Sequence, residues 1–185
     1  MKFRGPLLGL VPLVLLAGCL GVSPEEARRR GLNVRGDDDD GDPTHNPGTP
    51  CLACHAADYN PGDDVFALAG TVYFHVEDPD SRGLAGVDVY ARDARGREMH
   101  AITNRTGNFM FDVEGGPDGV GFRERSNGRT RLFFEPEYPI EVWIAQGGTE
   151  QRMRTPIRRE GSCATCHDAL PSATSIGRVF LMETP

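Results

Sequence analysis

A five-residue pattern, Cys-x-x-Cys-His, occurs twice in this chain of 185 residues, at 51–55 and at 163–167. Its members are Cys51, Cys54 and His55 in the first copy and Cys163, Cys166 and His167 in the second. Because the chain has only five His, a His after both cysteine pairs is expected by chance in roughly one of a thousand such sequences. Any fold of this chain therefore has to present two identically spaced thiol pairs, each followed by an imidazole.

The spacing of the pattern is that of c-type haem attachment. Two thiols add to the vinyl groups on one edge of the porphyrin, and the adjacent imidazole gives a nitrogen to the iron. Both motifs resemble those of multihaem c-type cytochromes. The resemblance implies two covalently attached haem c groups, with His55 and His167 as the proximal iron ligands.

Two other uses of paired cysteines compete with haem. Two Cys-x-x-Cys pairs that meet in space could form a tetrahedral zinc site, and in an exported protein the four thiols could form two disulfides. Neither use requires a His directly after the second Cys, yet both motifs have one. The pattern therefore favours haem over zinc or disulfides.

Haem iron in electron-transfer proteins usually takes a second axial ligand from His or Met. The remaining candidates are His45, His75, His100, Met99, Met110, Met153 and Met182. His75 and His100 fall within predicted strands, whose rigid backbone could hold a ligand, whereas His45 falls in a segment predicted to be flexible. We therefore expect His75 and His100 to ligate iron, with a ligand from a neighbouring molecule as the alternative.

The first 18 residues have the features of a secretory signal peptide. Two basic residues, Lys2 and Arg4, precede an apolar run at 7–16. That run contains Pro12 and is too short to span a bilayer comfortably, so we expect it to be a signal rather than an anchor.

Residues 16–19, Leu-Ala-Gly-Cys, follow the apolar run directly and resemble the lipobox of bacterial lipoproteins. The resemblance implies that Cys19 becomes the lipidated first residue of the mature chain, held at a membrane surface by its acyl chains. Leu20 stands where some bacteria use Asp to retain lipoproteins at the inner membrane. We therefore expect the protein to be anchored in the outer membrane, on its periplasmic or cell-surface face.

Residues 19–50 show no apolar periodicity and include the run Asp37–Asp40 and several Pro. Such a segment buries too little apolar surface to offset the entropy of ordering it, which predicts a disordered tether. The formal net charge of −7 offers nothing to neutralise a phosphate backbone, so we expect no nucleic-acid partner.

Residues 65–157 carry the period-two alternation of β-strands, for example at Phe109, Phe111 and Val113. Strands are predicted at 66–76, 86–91, 99–103, 108–113, 131–135 and 140–145, with a terminal strand within 176–182. Short strands separated by Gly-rich and Asn-rich turns favour a mainly β fold, a β-sandwich.

The order of these features resembles the carboxypeptidase regulatory-like, or transthyretin-like, domain. The matching stretches are 70–72 (Gly-Thr-Val), 84–89 (Leu-Ala-Gly-Val-Asp-Val), 103–109 (Thr-Asn-Arg-Thr-Gly-Asn-Phe) and 138–145. The resemblance covers about half of the chain and implies an Ig-like or transthyretin-like β-sandwich with an accessory, non-catalytic role.

The chain departs from that resemblance at 114–130, a long Gly-rich loop. Its Arg123, Arg125 and Arg129 are expected to be solvated, with a partner contact as the alternative. The expected order of segments is signal peptide 1–18, tether 19–50, first haem-binding segment 51–64, sandwich 65–157, and second haem-binding segment with terminal strand 158–185.

These features predict a membrane-anchored dihaem c-type cytochrome that transfers electrons in the periplasm or at the cell surface. Its partners would be other redox proteins, with self-association through haem edges as a further option. The alternative is a surface-anchored adhesion or binding lipoprotein whose cysteine pairs bind zinc or form disulfides. No Ser-His-Asp set, phosphate loop or carboxylate pair indicates an enzyme, although haem peroxidase or sensor activity stays open.

The number of strands between the two motifs decides how the haems are arranged. An odd number of antiparallel strands would place them at opposite ends of the sandwich, as a relay between molecules requires. An even number would place them at one end, as a coupled pair within one molecule requires. The sequence predicts six or seven strands between the motifs, so it leaves both arrangements open.

Overall fold

The computed structural model describes residues 42–56, 64–113, 119–125, 127–167, 171 and 175–182. Within these ranges the chain is mainly β. The strands are β1 (Phe66–Tyr73), β2 (Asp88–Arg92), β3 (Glu98–Ile102), β4 (Asn108–Asp112), β5 (Phe122–Glu124), β6 (Arg129–Leu132), β7 (Glu141–Gln146), β8 (Thr149–Arg152) and β9 (Val179–Phe180). Helical structure in the described residues is limited to α1 (Leu52–His55) and to the 3₁₀ turns Asp80–Arg82 and Cys163–Thr165.

The strands form two sheets, in the orders β5-β6-β4-β1-β9 and β3-β2-β7-β8. In the second sheet every neighbouring pair is antiparallel, whereas in the first sheet β9 and β6 run parallel to their neighbours β1 and β4. One apolar core contains residues of both sheets, which is consistent with the predicted β-sandwich. The described residues include no helix that is long and apolar enough to cross a membrane.

The alternation of side chains along the strands builds this core. Its fully buried members include Leu68 and Val72 of β1, Val89 and Ala91 of β2, Met99 and Ala101 of β3, and Phe109 and Phe111 of β4. Met110, between the two phenylalanines of β4, points to the opposite face, where it packs in a second cluster with Phe66 and Ala69.

Strand β1 is covered on both faces. Seven of its eight residues are buried. The second sheet covers the face of Leu68 and Val72, and the residues Cys51 and Leu52 cover the face of Phe66 and Ala69. This second covering makes β1 the strand on which the chain segments outside the sandwich converge.

The predicted strands are present with shifted ends, and the terminal strand docks on β1, as expected. The prediction for β1 was too long, because the strand ends at Tyr73. The carboxylate of Asp78 accepts a hydrogen bond from the backbone N–H of His75 at 2.8 Å, which folds 75–78 into a turn. His75 therefore lies beyond the strand, and Phe74 is 43% exposed rather than buried in the core.

Two predicted irregular segments are more ordered than expected. The segment 114–130, expected to be a loop, contains β5 and the first residues of β6. Residues 114–118 and 126 within it lie outside the described residues. Residues 42–50, assigned to the tether, lie against the sandwich: the side chain of Asn108 donates a hydrogen bond to the His45 carbonyl at 2.9 Å. The signal peptide, Cys19 and the tether up to 41 lie outside the described residues.

Candidate cofactor-binding site

The two Cys-x-x-Cys-His motifs share the same pattern of backbone hydrogen bonds, although the first is a short α-helix and the second a 3₁₀ turn. In the first, the carbonyl of Cys51 accepts hydrogen bonds from the N–H groups of Cys54 and His55, at 3.1 and 3.0 Å. In the second, the carbonyl of Cys163 accepts from Cys166 and His167, at 3.2 and 2.9 Å. Such a helical turn places residues i and i+3 side by side, so each motif presents its two thiols on one face.

The first motif docks on the face of β1 that points away from the second sheet. Cys51 and Leu52 pack against Phe66, Ala69 and Met110. Burial in this apolar cluster raises the pKa of the Cys51 thiol to about 12. At neutral pH the thiol is therefore neutral in this setting.

The second motif extends the edge of β1. The backbone N–H of Ala69 donates to the Gly161 carbonyl at 2.9 Å, and Ser162 pairs with Ala69 in a parallel bridge. The next residue of β1, Gly70, leaves the space that Cys163 needs, because a Cβ there would lie 2.7 Å from the Cys163 Cβ. Burial raises the pKa of the Cys163 thiol to about 12, and the nearby Cys51 thiol adds to the rise.

The two motifs therefore adjoin across one strand. Cys51 packs beside Ala69 on one face of β1, and Cys163 lies against Gly70 at its edge. The sequence left open whether the motifs lie at opposite ends of the sandwich or together, and the structure places them together.

Each motif His is held through its Nδ1 atom by a backbone carbonyl. Nδ1 of His55 lies 2.9 Å from the Asp64 oxygen, and Nδ1 of His167 lies 2.7 Å from the Gly177 oxygen. Because a carbonyl can only accept, Nδ1 carries a proton in both rings, which leaves Nε2 as the nitrogen that can bind a metal ion. Burial lowers the pKa of His167, which further favours the neutral imidazole that a metal ion binds.

An arginine fixes the segment that holds His55. Arg129 forms a two-pronged ion pair with the carboxylate of Asp64, at 2.6 and 2.7 Å, and a third bond to the buried Asp112 at 2.8 Å. Burial works against the charge of Arg129, but the hydrogen bonds to both carboxylates outweigh it and raise the pKa of the guanidinium. The sequence predicted a solvated Arg129, and that prediction was wrong, because the acidic partners come from segments distant in the chain.

A second arginine fixes the segment that holds His167. Arg178 follows Gly177 directly, pairs with the Asp80 carboxylate at 2.8 Å and donates to the Asp78 carbonyl. Its guanidinium also lies 4.8 Å from the centre of the Tyr73 ring, in a cation–π contact. The sequence gave no sign of either arginine's role, because an isolated Arg in a loop has no characteristic spacing.

The donors of the two motifs are compatible with covalent haem. A thioether sulfur is neutral and tolerates the apolar surroundings of Cys51 and Cys163, where burial raises the pKa of both thiols to about 12. Cys51, Cys163 and Cys166 are not in disulfides. Among the described residues, no three His, Cys, Asp or Glu side chains converge as a metal site would require.

The structure does not favour the predicted second ligand His100. His100 lies on β3, in the sheet that carries neither motif. Its Nε2 lies 2.9 Å from an Asp88 carboxylate oxygen and its Nδ1 contacts Glu124, so both ring nitrogens are engaged.

His75 stays a candidate for the second motif. Its Nδ1 is buried and has no hydrogen-bond partner among the described residues. The neighbouring Val76 touches Gly177, whose carbonyl holds His167.

His45, the candidate that the sequence disfavoured, lies beside the first motif. The centres of the His45 and His55 rings are 5.8 Å apart. Both rings line a cleft of about 40 Å³ with Cys51, Cys54, Phe66 and Met110.

Comparison with protein-family models, with curated proteins and with solved structures found no match to this chain. The functional argument therefore depends on the two motifs and their surroundings.

Proposed function

We propose that this protein is a membrane-anchored dihaem c-type cytochrome that transfers electrons in the periplasm or at the cell surface. One haem c would be attached through Cys51 and Cys54, with His55 as the iron ligand. The other would be attached through Cys163 and Cys166, with His167 as the iron ligand. When bound, haem supplies an iron centre that exchanges single electrons with redox partners.

The observation that carries the proposal is the shared arrangement of the two motif His residues. Both have Nδ1 hydrogen-bonded to a backbone carbonyl, which leaves Nε2 as the nitrogen that can bind iron. Metal-binding His residues characteristically donate their second nitrogen to such a partner, which fixes the ring orientation and its basicity. Surface His residues that merely contact water have no reason to share this feature at two separate CxxCH motifs.

The remaining residues of the site would hold the His residues and exclude water. Phe66 stacks on the His55 ring at 4.5 Å between centres, and the Arg129–Asp64 pair fixes the carbonyl that His55 contacts. Arg178 does the same for the segment of Gly177. Adjoining motifs support a coupled pair of haems in one molecule in preference to haems at opposite ends.

The finer features of the fold belong to the same proposal. The order of motifs along β1 to β7 supports a transthyretin-like, carboxypeptidase regulatory-like sandwich. The predicted signal peptide and Cys19 support an exported lipoprotein of the outer membrane, joined to the sandwich by the tether. Redox proteins, or further copies of the chain, would be the partners.

Mass spectrometry of the mature full-length protein, produced in a host that matures c-type cytochromes, tests the proposal. We expect lipid on Cys19 and two haem additions, one on each cysteine pair. The double variants C51A/C54A and C163A/C166A should each lose one haem, and Cys19→Ala should lose the lipid while keeping both haems.

The same preparation distinguishes the alternatives. The protein should be red, with c-type absorption bands that change reversibly on reduction and oxidation. Colourless protein with stoichiometric zinc would refute the cytochrome and favour the adhesion lipoprotein. Fast turnover of hydrogen peroxide would indicate a peroxidase instead of an electron carrier.

A further inference from the structure

The segment that precedes the first motif is held in a fixed position on the sandwich. Asn104 donates to the Pro43 carbonyl at 2.7 Å, and Thr106 donates to the Thr44 carbonyl at 3.1 Å. The backbone N–H of Gly48 donates to the Thr71 hydroxyl at 2.8 Å. These bonds fix the backbone on both sides of His45. This part of the chain is therefore held in place and is not part of a flexible tether.

The fixed backbone places the His45 ring opposite the His55 ring. Their centres are 5.8 Å apart and their planes are inclined by 40°. A nitrogen ligand lies roughly 2 Å from a bound transition-metal ion, and the centre of an imidazole lies roughly 1 Å further, so two rings on opposite sides of one ion have centres about 6 Å apart. The observed separation is close to that value.

The two rings also share a protonation pattern. Nδ1 of His45 contacts the Asp42 carbonyl, as Nδ1 of His55 contacts the Asp64 carbonyl. Each Nδ1 is therefore a donor, and Nε2 is in each ring the nitrogen that can bind a metal ion. Two imidazoles held in this way are suited to bind one ion between them.

We propose that His45 is the second axial ligand of the haem at the first motif. This inference rests on the proposed function, because it requires haem to be attached there. It replaces His100, which lies on the other sheet with both nitrogens held by carboxylates. Met110 is the competing ligand, because its thioether lines the same cleft.

The test uses full-length protein from a haem-maturing host and three variants: His45→Gln, Met110→Leu and His100→Gln. Haem content is measured by mass, and the spin state by absorption and electron paramagnetic resonance spectroscopy. Wild type should contain a low-spin first haem. His45→Gln should convert one haem per chain to high spin, without loss of attached haem, and added imidazole should restore the low-spin spectrum.

The two controls make the assignment specific. Met110→Leu and His100→Gln should keep the wild-type spectrum, and repeating His45→Gln in the C163A/C166A background should convert all of the remaining haem. An unchanged spectrum in His45→Gln, or conversion by Met110→Leu, would overturn the assignment of His45 while the proposed function stands. Absence of attached haem from wild type would instead refute the proposed function.

Discussion

The two CxxCH motifs have the same internal hydrogen bonds but are attached to β1 in different ways. The first lies on a face of the strand and is held by side chains, namely those of the cluster around Phe66 and of Arg129. The second extends the edge of the strand through the Ala69–Gly161 backbone hydrogen bond, with Gly70 leaving room for the Cys163 side chain. One hydrogen-bond pattern is therefore supported in two ways, and each support is sensitive to a different kind of substitution.

The largest expected effect is that of Gly161→Ala, which acts on the second motif. A Cβ at this position would lie 1.9 Å from the Ala67 carbonyl oxygen, so the segment must leave the edge of β1. We expect a loss of about 3–4 kcal/mol in the free energy of unfolding. Urea denaturation measures it. In Gly119→Ala the nearest atom lies at 3.6 Å, so this control should change stability by less than about 0.5 kcal/mol.

Arg129→Met acts on the first motif. It removes the 2.8 Å bond to the buried Asp112, which keeps an ion pair with Arg125 at 3.9 Å, and it releases Asp64. Removing one partner of such a network lowers the free energy of unfolding by about 3 kcal/mol. The matched variant Arg123→Met, from the same predicted loop but exposed, should cost less than about 0.5 kcal/mol. Equal losses of stability in the two variants would contradict the role of Arg129 in holding Asp64 in place.

Arg178→Met is the counterpart of Arg129→Met at the second motif. Its partner Asp80 is 59% exposed, so the ion pair is screened, and the cation–π contact with Tyr73 is the larger loss. We expect a loss of about 1 kcal/mol in the free energy of unfolding, measured by the same urea denaturation. A loss as large as that of Arg129→Met would mean that the two supports do not differ as described.

Phe66→Leu has an expected effect as small as that of Arg178→Met, and it separates the motifs spectroscopically. It removes the ring that stacks on His55 but keeps an apolar side chain. We therefore expect a loss of about 1 kcal/mol in the free energy of unfolding. In haem-loaded protein, the signal of the first haem should shift while that of the second stays unchanged. A shift of the second haem alone would refute the assignment of Phe66 to the first motif.

The two-sheet fold was predictable because period-two alternation is a local signal. Residues such as Phe109 and Phe111 show it within a few positions, and both are buried in the core. The end of β1 was not predictable, because the apolar alternation continues through Phe74, and only the side chain of Asp78 turns the backbone.

The two motifs could be recognised from five consecutive residues each, but the residues that support them could not. Asp64 and Arg129 are 65 residues apart, and nothing in either segment indicates the other. His45 was disfavoured for a similar reason: its Pro- and Asp-rich surroundings predict disorder, and the bonds from Asn104, Thr106 and Asn108 that fix it come from a distant turn.

The parallel pairing of β1 with β9 has a consequence for how the chain reaches its final form. Val72 pairs with Val179, so β1 leaves the ribosome more than a hundred residues before its edge is covered. During that interval the open edge is a template on which another chain could add a strand. A mutation that delays docking of β9 should therefore increase aggregation during synthesis even if the finished protein is as stable as wild type.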